Sequence, residues 1–365
     1  MDFSLSETQQ DLAGLTRRIL DDHFTQDRLR AAESGPDHID RRLWTALARA
    51  GVLSAALPVP AGGGGLGLAE SCSVLVEIGR AVAPVPYLWS ITLAAAALAE
   101  FGDVDSATRA GRGEQILTVA LTEDLADSPE VPLTRAERVD GGWALDGSKA
   151  VVPSASVADA ILVPATTAQG AAVFVIRPSD RGVSIERQVL VDGDSAGSVE
   201  LSGVRVADAD RLGGRDVLDW LIGRATVGLA AYQLGVLERA LELTATYARE
   251  REQFGRPIGS FQAVAQRLAD AYIDVEAARL TMWEAAWRLS EGLPAAAELA
   301  TAKFWAADAG HRVAHTAVHV HGGTGIDVDA PAHRYFTAAK RTEFTLGGAT
   351  AQLRRLGAEL AATPA

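Results

Sequence analysis

From Val217 to Leu360 the sequence keeps a helical hydrophobic period through four long stretches, Val217–Glu252, Ser260–Glu291, Ala295–Val320 and Pro331–Leu360. Amphipathic helices of that length bury their apolar stripes against one another, so the second half of the chain predicts a helical bundle. The stretch from Gln115 to Val206 has a different period. Ile116–Leu121, Trp143–Leu145, Ala160–Val163, Ala172–Ile176, Ser184–Leu190 and Ser198–Leu201 are short β-rich runs separated by Gly, Asp and Pro. Their spacing predicts a compact antiparallel barrel or sandwich. The first hundred residues are helical again, near Arg41–Ala50, Leu68–Val82 and Ser90–Phe101, with a capping-box spacing at Ser4-x-x-Glu7. The expected class is therefore α+β: an N-terminal helical domain over 1–112, a middle β domain over 113–208 and a C-terminal bundle over 209–365.

Charge and composition narrow the partners. A net charge of −13 over 365 residues argues against nucleic acid, because phosphate backbones select basic surfaces. A single cysteine, Cys72, cannot form an internal disulfide. The opening MDFSLSETQQDL lacks a basic and then apolar leader, and the apolar run Ile91–Leu98 is too short to span a bilayer. The expectation is a cytoplasmic protein with no membrane segment. Ala61-Gly-Gly-Gly-Gly-Leu-Gly lacks the Lys-Ser/Thr of a phosphate loop and reads as a flexible turn.

Three segments carry chemistry. In Tyr247-Ala-Arg-Glu-Arg-Glu-Gln-Phe-Gly-Arg-Pro-Ile-Gly-Ser-Phe-Gln262 a charged helix is expected to end at Gly255. Arg, an aromatic ring and Gln displayed there suit a nucleotide, while a solvated helix terminus is the plainer reading. His311, His315 and His319 share a helical face and lead through His321 into Gly322-Gly323, with His333 beyond. Zinc, contact with a nucleotide, and packing or capping all stand as readings of these histidines, metal being the weakest because no H-E-x-x-H pattern is present. The third segment runs from Arg334 through Glu343 to a break at Gly347-Gly348.

The motif Arg-x-x-Phe-Gly-x-Pro-Ile with Phe-Gln downstream, followed by His-Gly-Gly-x-Gly and Arg-Tyr, resembles the acyl-CoA dehydrogenases over essentially the whole chain. Within that family it is most similar to the smaller subunits of heteromeric actinobacterial steroid-CoA dehydrogenases. The resemblance implies FAD shared across a subunit interface. Arg251 falls at the position that pairs with the pyrophosphate, Phe254 and Gln262 at FAD contacts, His319 where many relatives have Gln, and Gly322 and Gly323 under the pyrophosphate. It also implies α,β-desaturation by a Glu base, yet the two places for that base fall at Leu346 and Ala225. The Trp-x-Thr beside the flavin becomes Val151-Val152-Pro153, and Thr122-Glu-Asp-Leu-Ala-Asp-Ser-Pro replaces a fuller family pattern. The expectation is a subunit with no catalytic residue of its own and no metal, in an α2β2 assembly whose other dehydrogenase-like chain binds most of the acyl-CoA. Two alternatives stand: a self-sufficient homomer using Glu343 as a displaced base, a residue whose plainer reading is a surface carboxylate beside Arg341, and a flavin-free acyl-CoA-binding scaffold.

Overall fold

The computed structural model describes residues 4–362 apart from 24, 36, 125 and 127. The chain opens with helices α1 (Glu7–His23), α2 (Gln26–Ser34), α3 (Arg41–Arg49) and α4 (Leu68–Ala81). A buried π-helical stretch, Tyr87–Ala95, then runs into α5 (Ala96–Phe101), followed by α6 (Val104–Gly111). Eight strands follow: β1 (Leu117–Val119), β2 (Arg135–Val139), β3 (Gly142–Pro153), β4 (Ala160–Thr167), β5 (Gly170–Ile176), β6 (Val183–Val189), β7 (Ser195–Val206) and β8 (Arg211–Gly213). The last part comprises α7 (Arg215–Glu250), a two-stranded ribbon of β9 (Glu252–Gln253) and β10 (Arg256–Pro257), α8 (Gln262–Ser290), α9 (Ala296–His321), α10 (Pro331–Phe344) and α11 (Ala349–Ala362). The capping box forms two residues later than expected, because helix α1 starts at Glu7: Ser6 Oγ accepts from Gln9 N–H and Gln9 Oε1 accepts from Ser6 N–H.

The residues form two compact units. One comprises Arg18–Ser71 and Pro84–Ala225. Its sheet runs β6-β7-β3-β2-β4-β5-β8, with β1 paired to β4. It is mixed rather than wholly antiparallel, since β4 pairs parallel with both β1 and β2. Trp143, Leu145, Ile161, Val163, Phe174, Val199 and Val204 pack into one apolar core, each large side chain contributing about 1.5–3 kcal/mol by its burial. Helix α3 turns Leu43, Trp44 and Leu47 inward and is capped by Asp40, whose carboxylate accepts from the N–H groups of Arg42 and Leu43. The glycine-rich turn is tightly packed rather than flexible. A Cβ on Gly63 would stand 2.0 Å from the Leu57 carbonyl oxygen.

The other unit comprises Met1–Arg17, Cys72–Ala83 and Thr226–Ala365. Helices α4 and α7 cross where glycine removes the side chain from each: a Cβ on Gly79 would lie 2.0 Å from Tyr232 O, and one on Gly235 1.9 Å from Val76 O. Ion pairs surround that crossing, with Arg80 reaching Glu238 and Glu242 and Arg279 reaching Glu238. Helices α8 and α9 meet through small residues such as Ala271, Ala278, Ala309 and Ala314 and through a bidentate Arg312–Asp274 pair at 2.8 and 2.6 Å. That pair sets an antiparallel register in which α8 numbers fall as α9 numbers rise.

Candidate functional site

Helix α7 stops at Glu250, five residues before the expected end, because the chain turns into the β9–β10 ribbon instead of continuing to Gly255. The ribbon turns on Phe254 and Gly255, with φ of +53° and +76°, as a two-residue type I′ hairpin requires. A phenylalanine in that region is unfavourable by about 1–2 kcal/mol relative to glycine. Phe254 is 92% exposed, and its ring meets that of Phe261 edge-on at 6.1 Å between centroids. Arg251, immediately before the ribbon, is exposed, and its guanidinium has no ion pair or hydrogen bond among the described residues.

The end of α9 comes to the same place. His321 stacks on Tyr247, four residues before Arg251, at 4.4 Å with the planes 23° apart, and its Nδ1 lies 2.8 Å from Ala317 O. Counting from the Asp274–Arg312 pair, Gln262 comes level with Gly323 and Thr324. Arg251, Phe254, Gln262, His319, Gly322 and Gly323 therefore gather at one end of the bundle, and all are exposed. Gly322 holds φ +63° and ψ −138°, which suits only glycine. A Cβ on Gly323 would meet nothing of this chain within 4 Å, so no internal contact requires a glycine there.

The opposite end of α9 holds the break at Gly347-Gly348. Leu346 has φ +57° and Gly347 +95°, and both carbonyls accept from the buried Gln352 amide at 2.9 and 3.2 Å. The last turn of α10 is capped by Lys303, whose ammonium donates to the carbonyls of Thr342 and Glu343 at 3.0 and 3.2 Å. Lys303 is wholly buried, and burial pushes its pKa down to about 7, with Glu343 opposing and Arg355 adding to the shift. Glu343 is not a surface carboxylate beside Arg341. Its side chain is 12% exposed and lies 2.5 Å from Lys340 Nζ and 3.3 Å from His311 Nδ1. Ala225 is fully buried. Lys303 carried a readable signal, since its helical neighbours Ala300, Ala306 and Ala307 place it on an inward face, but it was not among the expected site residues.

In the sheet, β3 carries an irregularity between Lys149 and Val152, and the residue displaced is Val151 at φ +50°. A β-branched residue there is a strained exception. Glu123, from the segment that departs from the family pattern, is buried against Lys149 at 2.6 Å. Its carboxylate also accepts from Thr134 N–H and Oγ1 and from Leu133 N–H. Burial pushes Lys149 down to about 8. Burial alone would raise Glu123, but the Lys149 charge and these hydrogen bonds outweigh it and hold the carboxyl below its usual range. Leu125 and Asp127 of the same segment lie outside the described residues.

Two more histidines of the cluster pack or pair. His311 and His315 lie ring against ring at 4.4 Å, and His315 meets the edge of Phe336 at 5.2 Å. Among the described residues no group of three His, Cys, Asp or Glu is placed to share a metal ion, and no helix is long and apolar enough to cross a membrane.

Residues 213–361 match the acyl-CoA dehydrogenase C-terminal domain and residues 6–109 the N-terminal domain. The chain is 50% identical to acyl-CoA dehydrogenase FadE27 of Mycobacterium tuberculosis over 100% of both chains. It superposes with a TM-score of 0.96 on a chain of the ChsE4-ChsE5 complex from Mycobacterium tuberculosis, at 51% identity over 100% of each. A chain of the Tcur3481-Tcur3483 steroid dehydrogenase variant gives a TM-score of 0.94, at 44% identity over 99% of this chain and 100% of that one.

Proposed function

The chain belongs to the acyl-CoA dehydrogenase family, and on that basis we propose that it is the non-catalytic subunit of a heteromeric, FAD-dependent acyl-CoA dehydrogenase. The observation that carries this reading is an asymmetry. The end of the bundle that would meet a nucleotide presents the Arg251, Gln262 and His319 side chains outward without side-chain partners among the described residues, beside the exposed Phe254 ring and the exposed Gly322-Gly323 backbone. The two positions for a base are Leu346 and Ala225, and Glu343 is engaged by Lys340 and His311. Neither Leu nor Ala can take a proton, and a carboxylate already held by the Lys340 ammonium and set against His311 is a poor base.

The residues present fit the ADP half of FAD. Arg251 offers a free guanidinium for a pyrophosphate, Phe254 an exposed ring for stacking, and Gly323 a backbone that a phosphate can approach. When bound, FAD supplies the hydride acceptor. The partner chain would supply the Glu base, the isoalloxazine pocket and most of the acyl-CoA site, in an α2β2 cytoplasmic assembly to which residues 209–365 donate the completing half-site. The steroid named for the Tcur3481-Tcur3483 relative supports a steroid CoA thioester as substrate, and the sequence resemblance narrows the reading to a side-chain thioester of the 3-oxocholest-4-en-26-oyl-CoA type.

The test is made on the co-purified heteromer. Arg251→Ala should raise the dissociation constant for FAD by roughly one to two decades, the value of a charge-assisted contact of about 1.5–3 kcal/mol. The chain purified alone should show no acyl-CoA oxidation, since a missing positioned base costs about 10²–10⁴ in rate. Turnover by the isolated chain that Glu343→Gln abolishes would overturn the proposal in favour of a homomer with a displaced base.

A further inference from the structure

Helices α8 and α9 leave an open groove of about 450 Å³ between them, with Arg267, Asp270 and Ile273 on one wall and His311 and His315 on the other. Its floor is the Arg312–Asp274 pair, where each charge is already answered. The walls are not. Arg267 and Asp270 are exposed, and neither side chain has an ion pair or hydrogen bond among the described residues. The Nδ1 of His311 is engaged by Lys340 at 2.9 Å and Glu343 at 3.3 Å, which leaves Nε2 for an outside partner. His315 is held below the usual histidine pKa, by burial first and then by the neighbouring His311 and Lys340, so at neutral pH it offers hydrogen bonds rather than charge. Ile273, 63% exposed, is an apolar surface between these polar groups.

The register joins this groove to the bundle end. Seven residues from the Asp274–Arg312 pair, Arg267 comes level with His319; five residues further, Gln262 comes level with Thr324. Asp270 and Ala271 line the groove with His315 and Thr316, as the same register requires. Gln262 to Asp274 is thus one continuous strip, about 18 Å long at 1.5 Å per residue.

We propose that the α8–α9 groove extends the half-site for the partner's FAD, with Arg267 taking phosphate charge, Asp270 accepting from ribose hydroxyls and Ile273 lying under an aromatic ring. A carboxylate for a ribose diol and a guanidinium for a phosphate are the groups that dinucleotide recognition uses elsewhere. The proposal rests on the reading of the bundle end given above, and the experiment separates the two.

FAD dissociation constants are measured by flavin fluorescence on the intact heteromer carrying Arg267→Ala, Arg267→Lys or Arg251→Ala, with assembly followed by gel filtration. The expected result is a weakening of about tenfold for Arg267→Ala, partial recovery in Arg267→Lys, and normal assembly. Unchanged FAD binding in Arg267→Ala beside weakened binding in Arg251→Ala overturns the groove and leaves the half-site standing. Unchanged binding in both removes the half-site and the groove together. Dispersal of the complex by Arg267→Ala with no weakening of FAD in what remains assembled overturns the groove as a cofactor site and makes it a seat for protein.

Discussion

The two ends of helix α9 treat their polar groups in opposite ways. At its C-terminal end Arg251, Gln262 and His319 face outward without side-chain partners among the described residues, and Phe254 holds an unfavourable backbone with its ring exposed. At its N-terminal end Lys303 and Gln352 are buried and clamp the carbonyls of Thr342, Glu343, Leu346 and Gly347, while Glu343 is tied to Lys340. The first end leaves these side-chain interactions unmade among the described residues, as the proposed half-site requires. The second turns on Leu346 at positive φ, with an alkyl side chain where the proposed reading looks for a base. Strain is kept at both ends.

The largest effect that would test this contrast lies at the clamp. Lys303→Ala removes a buried four-carbon stem and the donor to two helix-end carbonyls, and should lower stability to urea by about 2–5 kcal/mol. Lys303→Met, which keeps the volume, should recover part of it. A loss under 1 kcal/mol in Lys303→Ala would mean that the loop is not held in this way.

Next comes the pH dependence of the same residue. With its pKa lowered to about 7 from 10.5, the folded state binds fewer protons than the unfolded state between those values. Stability therefore rises with pH across that window, by on the order of 1 kcal/mol per unit, and the penalty is constant below about pH 7. Lys149, lowered to about 8, contributes with the same sign from its own pKa upward. The difference between wild type and Lys303→Met isolates the Lys303 share: it should grow in the wild type's favour from pH 7.5 to 9.5. A flat difference would place the ammonium in a better-solvated site.

At the open end the effects on stability reverse sign. Phe254→Asn relieves a positive φ and removes no buried contact, so the isolated chain should gain up to about 1 kcal/mol. The heteromer should retain FAD less well. A stability loss in the isolated chain would show that the ring packs within its own subunit.

The smallest effect is expected at Gly323. Alanine there meets nothing of this chain within 4 Å, so the melting temperature of the isolated chain should correspond to a change within about 0.5 kcal/mol. FAD affinity of the heteromer should fall, because the added Cβ projects where a phosphate would approach. Equal affinity would mean that the glycine is dispensable to the site.

Much of this architecture was legible in local sequence. The order of helices, strands and bundle follows from a change of hydrophobic period, and the break after α10 from Gly347-Gly348. Strand β2, Arg-Ala-Glu-Arg-Val, was not legible, because only Ala136 faces the core and the other residues carry no β pattern. The Ser6–Gln9 capping box was hidden by the equally good spacing at Ser4–Glu7. The early end of α7 depended on a hairpin with Phe, not Asn, at its first turn position, which defeats the usual turn signal.

The sequence by itself determined the composition of the site: which segments are helical, that Arg251, Gln262 and His319 are present to be used, and that Leu346 and Ala225 have no proton-accepting group. These are properties of single residues and of local periodicity, and they need no partner in space. Only the tertiary structure decided that Arg251, Gln262 and Gly323 share one end of the bundle, that Lys303 is buried with carbonyls for partners, and that Glu343 is held by Lys340 and His311. Each depends on residues brought together from distant segments or from different helices. Such contacts are fixed by how small residues let helices approach and by which register buries the most apolar surface, and helical periodicity is the same for every register.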